Sequence, residues 1–230
     1  MSEGDVPIPA LAARGVRKEY GEIVALQGLD LTIDAGELVA FVGHNGSGKS
    51  TFLRLATGLL DLTDGELEIS GAPAGSLEAR GAVSYVPDQP VLYDDLSVAE
   101  HLEYVSRLHG LDAAPEATRE LLAYLGLAHR AGDLPSQFSR GLRQRTSLAV
   151  AFVRPFEVLL VDEPFVGLDP AGQDACIDLL CETAAAGRTV VVATHQLSFL
   201  ERVGRVVVLR DGALVRDGPP ERDEILQFLG

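Results

Sequence analysis

An α/β fold is what this sequence predicts: a mostly parallel sheet, an N-terminal antiparallel β portion and an inserted α-helical section. Three observations lead there. Short apolar runs, ELVAFVG (37–43), EVLLVDEP (157–164) and RTVVVATH (188–195), read as buried strands. Stretches with helical spacing separate them, and alternation of strand and helix builds a parallel sheet. Between about 96 and 150 the pattern becomes Leu, Ala and Glu at helical intervals, which marks an inserted helical subdomain.

The elements follow in order. After a loose tail, residues 12–37 alternate and end in DAG, which predicts antiparallel strands joined by turns. Residues 37–43 form a buried strand ending in glycine, and KSTFLRLATGLL (49–60) has helical spacing. GELEIS (65–70) and GAVSYVP (81–87) are further strands. VAEHLEYVSRL, APEATRELLAYLGL and GLRQRTSLAVAFV supply the inserted helices. A helix over roughly 171–186 joins the strands at 157–164 and 188–195. RVVVLRDGALVRDG (205–218) reads as a hairpin turning at its first DG. A last helix is expected over 219–230, after two prolines tolerated at a helix start. The whole is expected to be one domain over 1–230, with a core over about 12–95 and 155–218 and the helical subdomain over about 96–150.

Composition narrows the function. Nineteen basic residues against thirty-four acidic ones give a formal charge of −15. Phosphate backbones are gripped by net positive surface, so no nucleic-acid partner is expected. The two cysteines, Cys176 and Cys181, read as reduced core thiols, since one pair makes neither a disulfide framework nor a zinc site. The N-terminus has no basic segment ahead of an apolar one, and no apolar run approaches the roughly eighteen residues of a membrane span. A cytoplasmic location is expected, with any membrane role exerted through a partner.

The chemistry begins at GHNGSGKST (43–51), which matches Gly, any four residues, Gly, Lys, Ser or Thr. It follows a buried strand and opens a helix, the context in which that pattern has meaning. Glycines let consecutive backbone N–H groups point inward, and the helix N-terminus adds its positive end. Gly43, His44, Asn45, Gly46, Ser47, Gly48, Lys49, Ser50 and Thr51 are therefore the expected ATP-phosphate cradle of a P-loop NTPase core. Lys49 is one of only two lysines among the nineteen basic residues. A compact point charge that reaches the β- and γ-phosphates suits the position, with the Ser50 hydroxyl on Mg2+. His44 is expected to support the backbone.

VLLVDEP (158–164) supplies the acids. Asp162 is expected to hold the Mg2+ shell, directly or through water. Glu163 points differently, because strand residues alternate sides, and can deprotonate a water for attack on the γ-phosphorus. Alone, two adjacent acids at a strand end would be a surface turn; beside a phosphate loop they read as a site. VVVATHQ (190–196) ends likewise in His195, whose strand should lie beside the acidic one and bring the imidazole near the γ-phosphate. The other four histidines (His44, His101, His109, His129) read as structural.

Taken in order, these motifs resemble those of the nucleotide-binding subunits of ABC transporters, over about residues 13–218. The resemblance makes 43–51 the Walker A motif, 158–162 Walker B, Glu163 the catalytic glutamate and His195 the switch histidine. VGLD (166–169), with Asp169, resembles the D-loop, and Tyr20, in KEYG, matches the aromatic residue that stacks on adenine. FSRGL (138–142) falls where the family carries its signature, usually Leu-Ser-Gly-Gly-Gln. There Ser139 would cap the following helix and offer its hydroxyl to the γ-phosphate of ATP bound by a second copy, and Gly141 would let the backbone approach. The arginines of this stretch would lie near the phosphates of the partner's ATP, with Arg143 and Arg145 serving mainly to neutralise local acids.

Two positions depart from the family pattern. Arg140 stands at the first signature glycine, a substitution that resembles the subunits of ABC-2-type exporters. Asp88 stands where the family usually presents a glutamine to Mg2+, with Gln89 next to it. The expected function is thus an ATP hydrolase that drives transport, in the export direction, through a separate multi-spanning permease. It would work as a head-to-tail dimer, expected to be a homodimer, on the cytoplasmic face of the membrane. The alternative is a soluble or membrane-associated ABC ATPase without a transport role. A P-loop kinase of small metabolites would leave FSRGL and His195 without a role.

Overall fold

The computed structural model describes residues 7–111 and 115–221. Its elements are β1 (Leu11–Tyr20), β2 (Ile23–Ile33), β3 (Leu38–Val42), α1 (Lys49–Ala56), β4 (Asp64–Ile69), β5 (Ala72–Pro73), α2 (Leu77–Ala82) and β6 (Val83–Val86). There follow α3 (Val98–Leu108), α4 (Pro115–Tyr124), α5 (Arg140–Phe152), β7 (Val158–Asp162), α6 (Pro170–Ala185), β8 (Thr189–Ala193), α7 (Leu197–Leu200), β9 (Arg205–Arg210) and β10 (Ala213–Gly218). The α/β class and both kinds of sheet are as the sequence predicts. The helix expected over 219–230 lies almost wholly outside the described residues.

Six strands form the central sheet in the order β10-β9-β3-β8-β7-β6. All of its pairings are parallel except β9 with β10. That last pair is the predicted hairpin, with Asp211 (φ 49°) and Gly212 (φ 80°) in the left-handed conformation that a tight two-residue turn requires. A second, antiparallel sheet has the order β2-β1-β4-β5.

β3, β7 and β8, inside the sheet, are apolar on both faces because both are covered. Val39, Phe41, Leu160, Val191 and Val207 face α1 and the antiparallel sheet. Ala40, Val42, Val161, Val192 and Val208 face the cluster that includes Leu148 of α5 and Leu180 of α6. Phe41 and Phe52 lie 5.3 Å apart between ring centroids and tie β3 to α1. Each buried ring contributes about 1.5–3 kcal/mol, which anchors both ends of the loop between them.

Helix boundaries follow local chemistry. The expected helix over 49–60 stops at Ala56, because Gly58 turns left-handed (φ 70°). Gly58 and Leu59 then donate backbone N–H groups to the Leu55 and Arg54 carbonyls, which closes the helix end. α3 starts at a capping box: the Ser97 side chain accepts from the Glu100 N–H, and Glu100 accepts from the Ser97 N–H in return. α5 starts at Ser139, whose hydroxyl accepts from the Leu142 N–H as the sequence implied. β5, α2 and α7 were not foreseen. Cys176 and Cys181 are free thiols on α6, and burial pushes the Cys176 thiol up to about 12.

Candidate functional site

Between β3 and α1 the chain curls through residues 43–48. A Cβ on Gly43 would lie 2.2 Å from the Leu209 carbonyl oxygen, so only glycine fits against β9. Gly48, at φ 106°, opens α1 with no side chain in the way. The loop is braced from outside: the Gly212 N–H, in the β9–β10 turn, donates to the Ser47 carbonyl at 3.1 Å. His44 has the backbone-supporting place expected of it, with Nδ1 2.8 Å from the Asn45 carbonyl and Nε2 3.3 Å from Asp211.

Lys49 is buried and folds back on this loop, donating to the Gly43 carbonyl at 2.6 Å and the His44 carbonyl at 3.2 Å. Burial lowers its pKa, while the Glu163 and Asp162 carboxylates hold the proton on. The cleft above is lined by residues 45–51 together with Ala25, Asp88 and Glu163.

Asp162 ends β7 on the face that carries Leu160, towards α1. It is 1% exposed, and neither carboxylate oxygen has a hydrogen-bond partner. Burial raises its pKa; Glu163 and Asp88 add to the rise, while nearby Ser50 and Arg54 oppose it. Ser50 is thus near enough to ease the charge without making a formed hydrogen bond.

Glu163 does not follow the alternation expected of it. The strand has ended, and its backbone is left-handed (φ 47°), with its N–H bonded to the Ala193 carbonyl at 2.8 Å. That turn swings the carboxylate into the same cleft as the phosphate loop instead of to the opposite face of the sheet. β8 does pair with β7, Ala193 opposite Asp162. His195, two residues on, brings Nδ1 within 3.1 Å of the Glu163 carboxylate.

The remaining candidates lie elsewhere in the chain. Tyr20 is half exposed at the β1–β2 turn, outside the cleft lining, with the Lys18 ammonium 5.1 Å from its ring centroid. Gln89 is exposed, whereas its neighbour Asp88 faces the cleft. Ser139 and Gly141, at the start of α5, also lie outside the cleft of their own chain. A Cβ on Gly141 would stand 2.5 Å from the Gly167 carbonyl oxygen, so α5 begins in close contact with the loop that follows Glu163. Asp169, at the end of that loop, pairs with Arg145 of α5 at 2.5 Å. The neutralising role read for Arg145 is therefore met within the chain.

Three neighbours were not anticipated. Ala25 of β2 forms one wall of the cleft. Tyr85 of β6 pairs with Leu160 of β7, on the same face as Asp162, and its hydroxyl is buried without a hydrogen-bond partner. Burial first and then the Asp162 charge push this phenol up to about 12, partly offset by Arg54 of α1. Nothing in the local sequence marks these residues; only the packing of β2, β6 and α1 around the loop does.

These groups fit Mg2+. Ser50, Asp162 and Asp88 are hard oxygen donors, and Asp162 has two oxygens that the protein leaves unsatisfied. Among the described residues no group of three or more His, Cys, Asp or Glu stands ready to hold a metal. A cation bound here needs oxygens from a ligand as well, which is how Mg2+ is usually held beside phosphates.

Residues 26–166 match the family described as "ABC transporter". Among curated relatives, the SkfA peptide export ATP-binding protein SkfE of Bacillus subtilis (strain 168) is 35% identical over 90% of this chain and 88% of its own. The macrolide export ATP-binding/permease protein MacB of Rhodopseudomonas palustris (strain HaA2) is 39% identical over 89% of this chain, which spans only 33% of MacB. Among solved structures, a dimeric ATP-binding cassette in a post-hydrolysis state, bound to ADP and Pi, superposes with a TM-score of 0.84. It is 30% identical, with 91% of this chain and 98% of that one covered.

Proposed function

The chain belongs to the ABC transporter family, and on that premise we propose that it is the ATP-hydrolysing subunit of an export system. It acts on a separate multi-spanning permease from the cytoplasmic face of the membrane. The observation that carries this reading is the buried Asp162, its two oxygens unpartnered, set beside the phosphate loop with the Glu163–His195 pair next to it. The names of the SkfE and MacB relatives, both export ATP-binding proteins, favour the export direction. No helix among the described residues is long and apolar enough to cross a membrane.

In the mechanism, the backbone N–H groups of residues 46–51 and the α1 N-terminus receive the ATP phosphates. Lys49 gives up the Gly43 and His44 carbonyls to meet the β- and γ-phosphate oxygens. Ser50 and Asp162, with Asp88, would hold Mg2+, which would supply positive charge against the charge that develops on the phosphates. Glu163 accepts a proton from the water that attacks the γ-phosphorus. His195 orients the Glu163 carboxylate through its Nδ1 contact and can turn towards the γ-phosphate. Tyr20 stacks on adenine.

The second half of the site comes from another copy. The neighbouring cassette is dimeric, which supports a pair; in our reading the pair is head to tail, with Ser139 and the backbone at Gly141 facing the partner's nucleotide. Because α5 touches the 166–169 loop through Gly141 and Arg145, closure of the dimer is felt directly at the turn that aims Glu163. The helical section over about 96–150 forms a lobe that moves against the core (about 12–95 and 155–218) and passes that motion to the permease.

The test is to tag the chain in its native host, solubilise membranes gently and identify what co-purifies. A multi-spanning protein in stoichiometric amount is expected. A soluble partner, or none in a preparation that retains ATPase activity, would overturn the transport reading.

A further inference from the structure

The two departures from the family pattern, 52 residues apart, meet in space: Arg140 Nη2 donates to Asp88 Oδ1 at 3.3 Å. The Arg140 stem lies over Gly167, where an added Cβ would be 3.0–3.2 Å from its methylenes, so packing aims the guanidinium at Asp88. Asp88 in turn lines the phosphate cleft, and its charge is felt at Asp162. The cleft is already flanked by Asp162 and Glu163. A third carboxylate adds negative charge where phosphates must enter, and a glutamine there would not. Arg140 is the ion-pair partner that Asp88 has among the described residues.

We propose that Arg140 is the resting counter-ion of Asp88, and that Mg2+ takes its place as nucleotide loads. Arg140 and Mg2+ then compete for one carboxylate. The inference rests on the MgATP reading given above. The side chains are 57% and 36% exposed, and ion pairs so exposed are weak. A weak pair can be exchanged for a divalent cation; a tight buried one could not. Each departure is explained by the other: the aspartate needs a neighbouring cation until the metal arrives, and the arginine at the signature supplies it.

The test is Arg140→Met, which keeps the stem on Gly167 and removes the charge, read by displacement of a fluorescent ATP analogue. Two quantities are measured: the affinity for ATP in EDTA, and the Mg2+ concentration that half-saturates binding at fixed ATP. Loss of the counter-ion weakens metal-free ATP binding by about two- to fivefold, and the Mg2+ half-point falls by a similar factor, since the metal no longer competes. A merely structural role for Arg140 would shift both in the unfavourable direction.

In the Asp88→Gln background the Arg140→Met change no longer lowers the Mg2+ half-point, and Arg140→Lys in the otherwise unaltered chain keeps both quantities near their original values. Asp88→Gln alone is the second test: it strengthens metal-free ATP binding and raises the Mg2+ half-point. Shifts of the same sign, no shift, or a fall in the Mg2+ half-point that persists in the Asp88→Gln background would overturn the inference while leaving the MgATP site in place. Failure of the unaltered chain to bind nucleotide at all would overturn the site itself.

Discussion

Replacing Asp162 by asparagine separates what the fold wants from what the site needs. The carboxylate is 1% exposed and has no hydrogen-bond partner on either oxygen. An unsatisfied buried polar group costs about 1–3 kcal/mol, and an ionised one more, so the neutral amide of the same size should recover on the order of 1–2 kcal/mol. For a chain of 230 residues that corresponds to a rise in Tm of about 2–8 °C in EDTA without nucleotide.

The pH dependence has a definite sign. Burial lifts the Asp162 pKa above its ordinary 3.8, so above that pH the folded chain holds a proton that the unfolded chain has released. The stability this group contributes is present below that value and is lost as pH rises through the folded pKa. The advantage of Asp162→Asn should therefore grow from acid towards neutral pH. With ATP and Mg2+ at about a hundred times Kd, the unaltered protein gains about 2.7 kcal/mol and the variant loses most of that gain. The order of stabilities then reverses. Thermal unfolding followed by circular dichroism, with EDTA or MgATP at two pH values, reads all of this. A lower Tm for the variant in EDTA, or an equal gain of both proteins from MgATP, would refute the assignment of Asp162 as a strained metal ligand.

Other substitutions probe the remaining parts. Glu163→Gln should bind MgATP and lose roughly 10²- to 10⁴-fold in phosphate release, the range for removal of a general base; undiminished turnover would take Glu163 out of the chemistry. Lys49→Ala should weaken nucleotide binding by about 10- to 100-fold, from the loss of charge-assisted hydrogen bonds, as read by titration calorimetry. Ser139→Ala should cost about 1 kcal/mol of cap energy and lower turnover more than the monomer's nucleotide affinity. Equal losses in that variant would count against a site shared between two copies. Gly141→Ala sets a methyl group 2.5 Å from the Gly167 carbonyl oxygen, so its urea midpoint should drop by the equivalent of about 1–3 kcal/mol.

The strands that carry the site were legible because parallel strands covered on both faces make unbroken apolar runs, as 38–42, 158–162 and 189–193 do. The phosphate loop was legible because its glycine spacing reflects a backbone requirement that is local. The direction of Glu163 was not, since alternation fails once a residue turns left-handed, and that turn is held by a bond to Ala193 on another strand. Asp88 and Gln89 are adjacent and both carry a side-chain oxygen that could meet a metal, and only the fold sends the first inward. Tyr85, Arg54 and Ala25 converge from three elements with no common spacing. α2 and β5, six and two residues long, are too short to show a period.

The order of strands in the central sheet has a consequence for synthesis. β3, which leads into the phosphate loop, has β8 and β9 as its two neighbours, and both are translated far later. The loop itself leans on Leu209 and Gly212. A ribosome that has passed residue 60 has made every residue of the loop and the wall at Ala25, but not Asp88, Glu163, Leu209 or Gly212. Pairings over such sequence distances form slowly, and here they must precede any grip on phosphate. A chain that stops short of the 205–218 hairpin lacks the Leu209 and Gly212 contacts that brace the loop, and is expected to bind nucleotide weakly if at all.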